Sequence, residues 1–391
     1  MEKKKILFVI NNMNVGGIQK SLLELLKALS KDEQYELSLF CSKRAGKFLS
    51  LVPENVNILP ENKYARLTEE SVSSAKRLGK IMALKRAYYS FLSKKFTKEK
   101  PVRKICKKIG KLEGFWDLAV AYAQPIEDRA FNNICNEIVL NCVDAKKKAT
   151  FLHCDFSMYG GNTARNRALY EKFDKIGACS NSVGEKFKGC VPSVADRVRT
   201  VYNLCDVEQI KLLSEEDTVV YDKPTIVTVA RLSSEKGHER VLSALKRIKD
   251  EGVDFCWSVV GGGSLDAKIK EKIKEFGLEE YVVMHGEQTN PYRYVKGADF
   301  LLLSSYHEAA PIVFDEAMVL GVTVLSTETL SARELVEGRD IGYVCENSEE
   351  GLYKLIKDAL CKNIAKKDKK ILDSNARKKQ FDALVEGKDE K

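Results

Sequence analysis

Short apolar runs recur along the chain, and between them apolar residues return every three or four positions, a pattern that predicts strands and helices in alternation. In the amino-terminal half, Lys5 to Ile10 reads as a first strand, Asn11 to Gly17 as a glycine turn, and Ile18 to Ser30 as a helix with Leu22, Leu25, Leu26 and Leu29 on one face. Glu36 to Cys41, Asp117 to Ala121, Ala149 to His153 and Lys175 to Ser180 are the further strands expected there. The intervening basic region is expected to form one or two amphipathic helices broken near Pro101. The second half is more regular. Strands are predicted over Thr225 to Ala230, Phe255 to Val260, Val282 to His285, Phe300 to Ser304, Val322 to Ser326 and Gly342 to Cys345, with a helix over Val241 to Lys249. A capping box, Ser331-Ala332-Arg333-Glu334, is expected to open the helix after Ser331. Past Lys362 the sequence is very polar, yet Ile371, Leu372, Phe381, Leu384 and Val385 suffice for a final helix. The alternation is that of an α/β protein with doubly wound parallel sheets.

At 391 residues the chain is too long for one ordinary core, so two domains are expected. No apolar run approaches the roughly 20 residues of a membrane span. The opening Met1-Glu2-Lys3-Lys4-Lys5 resembles a signal n-region, but Ile6 to Ile10 is too short for the apolar segment such a signal needs. Eleven cysteines, without a C-x-x-C pair, read as small core residues in a reducing compartment, not as a disulfide frame or a zinc site. No D-x-D carboxylate pair is present, and no metal site built from Cys or His is expected. The net charge of +9 is unevenly spread: residues 76–111 hold fourteen Lys or Arg against Glu99 alone, a local +13 that leaves the rest at −4. Cations interleaved with Tyr88, Tyr89, Phe91, Leu92 and Phe96 favour an anionic membrane surface over a solvated face or nucleic acid, for which no motif is present.

Two segments carry candidate chemistry. Glu308 and Glu316 flank Ala309-Ala310-Pro311-Ile312-Val313, between an apolar strand and a helix that Pro311 is suited to begin. Glu308 then lies at a strand's carboxyl end and Glu316 on the helix behind it, where open α/β sheets place their ligands. Backbone N–H groups between Ala309 and Val313 point into the same space, and a helix start favours phosphate. In the second segment, Arg231-Leu232-Ser233-Ser234-Glu235-Lys236-Gly237 follows a strand, setting a forked cation and a point charge at its carboxyl end. Gly16-Gly17 and Gly261-Gly262-Gly263 also follow strands, as tight turns or as places where backbone approaches a ligand closely. Neither has the G-x-G-x-x-G spacing of a dehydrogenase.

Both segments resemble motifs of the retaining glycosyltransferases of family 4: the paired glutamates Glu308 and Glu316, and an Arg-Leu-x-x-Glu-Lys-Gly loop at 231–237. The resemblance implies the GT-B fold, two Rossmann-like parallel-sheet domains facing a central cleft. It divides the chain into 1–203, 204–365 and a final segment 366–391 crossing back to the first domain. The crossover matches Val201 to Asp206, with Leu204 where the family usually has glycine. It further implies metal-independent transfer of a hexosyl or N-acetylhexosaminyl group from a nucleotide-diphosphate sugar, UDP being the expected nucleotide, with no cofactor. Arg231 and Lys236 would hold the diphosphate, Glu316 the ribose hydroxyls and Glu308 the sugar hydroxyls. Gly16, Gly17, Gly262, Ala310, Pro311, Ile312 and Val313 would lie along the donor. His153, in Phe151-Leu152-His153-Cys154-Asp155, resembles the family's histidine beside the donor sugar. Ala309-Ala310 stand where the family often has Gly followed by Phe or Met, and their methyl groups narrow the sugar pocket. The expected acceptor is a lipid-linked saccharide of bacterial cell-surface polysaccharide synthesis, met at the cytoplasmic face of the plasma membrane. A nucleotide-sugar epimerase of the same fold, or a non-catalytic subunit tethering a transferase to the membrane, are the alternatives.

Overall fold

The computed structural model describes residues 3–125, 127–158 and 160–386, and the chain forms two compact units. The first comprises the residues up to Leu204 together with those from Asn375 onward, the second Cys205–Ser374.

In the first unit seven parallel strands, β1 (Lys4–Ile10), β2 (Tyr35–Cys41), β3 (Asn57–Ile58), β4 (Trp116–Ala121), β5 (Ala145–Leu152), β6 (Lys175–Ala178) and β7 (Val198–Thr200), stand in the order β3-β2-β1-β4-β5-β6-β7. Helices cover both faces of such a sheet, so its central strands are continuously apolar instead of alternating. Ile6, Leu7, Phe8, Val9 and Ile10 are accordingly all buried, and Leu22, Leu25, Leu26 and Leu29 of the Gly17–Ser30 helix are buried with them. Strand β5 starts four residues earlier than its apolar run. Lys146 and Lys147 lie at the sheet's amino-terminal edge, where their ammonium groups pair with Asp117 and Asp174. The Ser374–Glu386 helix belongs to this unit: Phe381 is fully buried and stacks on Phe8 at 5.9 Å, Tyr35 Oη donates to Asp382, and Arg377 donates to the Asn203 carbonyl.

The basic region forms two helices, Lys80–Lys95 and Glu99–Ile109, and the break near Pro101 falls at Phe96 to Lys98. Pro101 sits in the first turn of the second helix, where a backbone N–H has no partner to lose. Among the described residues no helix is long and apolar enough to cross a membrane.

The second unit holds β8 (Thr225–Val229), β9 (Cys256–Val260), β10 (Val282–Gly286), β11 (Phe300–Leu303), β12 (Thr323–Thr327) and β13 (Gly342–Cys345), all parallel, in the order β10-β9-β8-β11-β12-β13. Its core gathers Ile226, Leu242, Leu245, Ile248, Trp257, Leu302 and Ile356, and the Trp257 indole N–H is satisfied by Thr228 Oγ1 at 3.0 Å. Strand order reverses between β8 and β11, which opens a crevice at their carboxyl ends. Two local expectations are corrected. The expected capping box opens no α-helix: Arg333–Glu337 is a single π-helical turn preceded by Ala332, with the Gly338 N–H on the Arg333 carbonyl and the Arg333 guanidinium held by Glu328 and Glu337. Pro311 precedes its helix, Ile312–Leu320, in an extended conformation and is not the first helical residue.

Candidate functional site

The loops that leave β8 and β11 are stitched together at the reversal point. Lys236 ends a short helical turn, Ser234–Lys236, and Gly237 follows with φ of +68°, a left-handed conformation. A Cβ on Gly237 would lie 2.3 Å from the Ser304 carbonyl oxygen, so glycine permits both the turn and the close approach of the two loops. Ser304 Oγ donates to the Lys236 carbonyl at 2.9 Å and the Tyr306 N–H to the Glu235 carbonyl at 2.9 Å. The result is that Lys236 Nζ and Glu308 Oε1 form an ion pair across the crevice, and Ser305 Oγ donates to the same carboxylate oxygen at 2.7 Å.

Beneath this pair lies Arg240, whose importance the sequence did not disclose. It is 2% exposed. Its guanidinium donates to the Ser304 carbonyl from Nε at 3.0 Å and from Nη2 at 2.6 Å, to the Ser305 carbonyl at 3.0 Å and to Asn347 Oδ1 at 2.7 Å, and it lies 4.0 Å from the centre of the Tyr306 ring. Those carbonyls belong to the loop carrying Glu308, so Arg240 fixes the path of that loop. Beside it, His238 is 1% exposed, and neither ring nitrogen has a hydrogen-bond partner among the described residues. Burial first, and Lys236 second, push its pKa down to about 4, so the ring is neutral near pH 7.

Glu316 is 4% exposed on the Ile312–Leu320 helix, where Tyr292 Oη donates to its Oε1 at 3.2 Å. Its neighbour Asp315 pairs with Arg339 at 2.6 Å. Ala309 and Ile312 are buried, while Ala310, Pro311 and Val313 are partly exposed at the start of that helix. Arg231 is the loosest member, with its side chain 69% exposed and 3.5 Å from Glu235. Burial opposes ionisation of Glu235, but the hydrogen bond from Ser233 and the cations of Arg231 and Lys236 outweigh it and hold the carboxyl below its usual range. In the glycine triplet, Gly261 and Gly263 bear the constraint. A Cβ would lie 1.9 Å from the Ala230 carbonyl oxygen at Gly261 and 2.3 Å from that of Leu232 at Gly263, whereas at Gly262 it would meet only ordinary contacts. The triplet therefore holds the Arg231 loop against β9, with the Leu232 N–H on the Gly262 carbonyl.

Arg231, Lys236, Gly262, Glu308, Ala310 to Val313 and Glu316 all lie in the second unit; Gly16, Gly17 and His153 lie in the first. Gly16 is extended and precedes the helix that Gly17 begins. The backbone N–H groups of His153 and Cys154 both donate to the buried side-chain oxygen of Gln124, at 2.8 and 3.0 Å, an anchor the sequence did not signal. The His153 ring packs 4.7 Å from Tyr122 and is hydrogen-bonded to the Tyr122 backbone; its Nε2 is enclosed without a partner among the described residues. Burial lowers its pKa to about 4. No cluster of three His, Cys, Asp or Glu side chains that would hold a metal ion occurs among the described residues.

Residues 211–379 match the family model of the Glycosyl transferases group 1, and the whole chain has the GT-B fold. It superposes on HepE of Anabaena, solved in complex with UDP and glucose, with a TM-score of 0.64 at 17% identity, over 98% of this chain and 99% of that one. At that identity the likeness establishes the fold. In sequence, it is 32% identical over 162 residues to the N-acetylgalactosamine-N,N'-diacetylbacillosaminyl-diphospho-undecaprenol 4-alpha-N-acetylgalactosaminyltransferase of Campylobacter jejuni, covering 41% of this chain and 43% of that enzyme. It is 26% identical over 239 residues to the N-acetyl-alpha-D-glucosaminyl L-malate synthase of Bacillus anthracis, covering 59% of this chain and 61% of that one. Both matches span less than two thirds of the relative's length.

Proposed function

We propose that the protein is a retaining, metal-independent glycosyltransferase that moves a hexosyl or N-acetylhexosaminyl group from a UDP-sugar to an acceptor hydroxyl. The observation that carries this reading is the Lys236–Glu308 ion pair at the reversal point of the second sheet. There a cation suited to a diphosphate and a carboxylate suited to sugar hydroxyls are preset side by side. The reaction breaks the bond between the anomeric carbon and the diphosphate oxygen, and the electron pair departs with the phosphate. Lys236 and Arg231 stabilise that growing negative charge, which is how fixed cations accelerate such a step. The acceptor oxygen attacks from the face the diphosphate leaves, and its proton passes to the departing phosphate, so no protein nucleophile is required. Glu316, held by Tyr292, accepts from the ribose hydroxyls; Glu308 accepts from the transferred sugar. Ala310 to Val313 line the donor with Gly262.

The acceptor in this reading is a lipid-linked saccharide of surface polysaccharide synthesis, met at an anionic membrane through residues 76–111. The Campylobacter relative, whose name specifies a diphospho-undecaprenol acceptor, supports that class. The test is incubation with a panel of UDP-sugars and polyprenyl-diphosphate saccharides, followed by mass and NMR analysis of the product. Acceptor-dependent UDP release, a product heavier by one sugar and an α linkage from an α donor are expected, with Glu308→Gln strongly impaired. An inverted linkage, or a free epimerised nucleotide sugar as the product, would overturn the reading.

A further inference from the structure

The Lys80–Lys95 helix is apolar toward solvent as well as toward the core. Its outward side carries Ile81, Leu84, Tyr88 and Phe91, at 69%, 71%, 53% and 60% exposure, spaced by three and four residues into one continuous strip. Phe96, 61% exposed, lies just past its end. The inward side buries Met82, Ala83 and Ser93, Tyr89 packs 5.4 Å from the Phe131 ring, and Arg86 is drawn in to donate to the Glu70 carbonyl and Ser90 and to lie 5.1 Å from the Phe131 ring centre. A helix facing water keeps its outward side polar. Single exposed apolar residues, such as Val220 or Ile371, need no explanation, whereas a strip in helical register marks an interaction face. Cations frame it: Lys76, Arg77 and Lys80 stand before it and Lys94 and Lys95 after it, all exposed.

We propose that this strip docks the protein on an anionic lipid bilayer, with the helix lying in the interface, Ile81, Leu84, Tyr88 and Phe91 among the upper acyl chains, and the framing cations at the phosphate level. Charge selects this occupant over a second copy of the chain. Two such helices packed face to face would bring together two regions of +13 each, whereas anionic head groups neutralise that charge. The inference deepens the membrane contact proposed above by naming the inserting element. Its test involves no sugar transfer, so the two readings fail separately.

The experiment is sedimentation of the full chain with vesicles of phosphatidylcholine alone or mixed with phosphatidylglycerol. The unmodified chain is expected to bind the mixed vesicles, and the Leu84→Ser/Phe91→Ser double variant to bind them about a hundredfold more weakly. Its thermal melt should be unchanged, because both side chains are exposed. Lys94→Gln and Lys95→Gln should each weaken binding about fivefold. A Tyr88→Trp variant should shift its emission to the blue on mixed vesicles. Equal binding by the double serine variant, or equal binding to phosphatidylcholine alone, would overturn the proposal. So would a solution dimer that the double variant dissolves, with no vesicle binding by the unmodified chain.

Discussion

Replacing Arg240 by methionine keeps most of the side chain's stem and removes the guanidinium, and the structure fixes what that removal costs. The Ser305 carbonyl retains a donor, Thr327 Oγ1 at 2.7 Å, and Asn347 is open to water. The Ser304 carbonyl, which takes two of the guanidinium's hydrogen bonds, is left buried without that donor. An orphaned carbonyl costs about 1–3 kcal/mol. The lost stacking on Tyr306 adds about 0.5–2 kcal/mol. Partly offsetting both, the guanidinium's own desolvation is relieved; burial lowers its pKa. A net destabilisation of about 1–4 kcal/mol is expected, confined to the second unit. The chain has two tryptophans, Trp116 in the first unit and Trp257 in the second, so in a Trp116→Phe background the Trp257 emission follows the second unit alone during urea unfolding. The same variant should bind a UDP-sugar at least about tenfold more weakly, because the loop carrying Glu308 loses its fixed path. Arg240→Lys should restore little, since an ammonium cannot span both serine carbonyls as the fork does. An Arg240→Met chain within about 0.5 kcal/mol of the unmodified protein would refute this account of the loop, since that is the range of an ordinary surface substitution.

Two further perturbations test the packing. Each of His153 and His238 has its pKa lowered from 6.5 to about 4, so below pH 6.5 the unfolded chain takes up protons that the folded chain refuses. Stability should therefore be fully present above pH 6.5 and fall by about 1.4 kcal/mol per pH unit per histidine as pH drops toward 4; His238→Phe should flatten that slope in Trp257-monitored unfolding. Phe381→Ala removes the ring that packs on Phe8 and Phe151 and should destabilise the first unit by about 3–5 kcal/mol, read from Trp116 in a Trp257→Phe background.

The strands were legible because a parallel sheet buried on both faces writes continuous apolar runs, and β1, β11 and β13 begin or end within a residue of those runs. The start of strand β5 is not legible because Lys146 to Lys148 look like loop, although the Lys146 and Lys147 ammonium groups reach carboxylates at the sheet edge and that of Lys148 the Leu140 carbonyl. Pro101 marks the nearby break because a helix interior rejects proline whereas a first turn accepts it, so the second helix begins two residues before it. In the site, the spacing of Glu308, Glu316, Arg231 and Lys236 named the polar groups, but nothing in it revealed that Arg240 is buried. An arginine beside Val241 and Leu242 is written like any helix-surface cation, and only the carbonyls arriving from β11 tell it apart. Gln124 and Tyr292 were missed for the same reason: each serves a residue distant in sequence, His153 or Glu316. The exposed apolar strip of the Lys80–Lys95 helix is equally hidden, because periodicity shows that a helix has faces and not which of them meets water.

The central claim, that Lys236, Glu308 and Glu316 converge on one nucleotide sugar, is tested most directly by thermal shift with a panel of nucleotide sugars on the unmodified chain and on Glu316→Ala. At a hundred times its Kd the best ligand should stabilise the unmodified chain by roughly 2.7 kcal/mol and leave Glu316→Ala nearly unmoved. An equal shift in both chains would contradict the account.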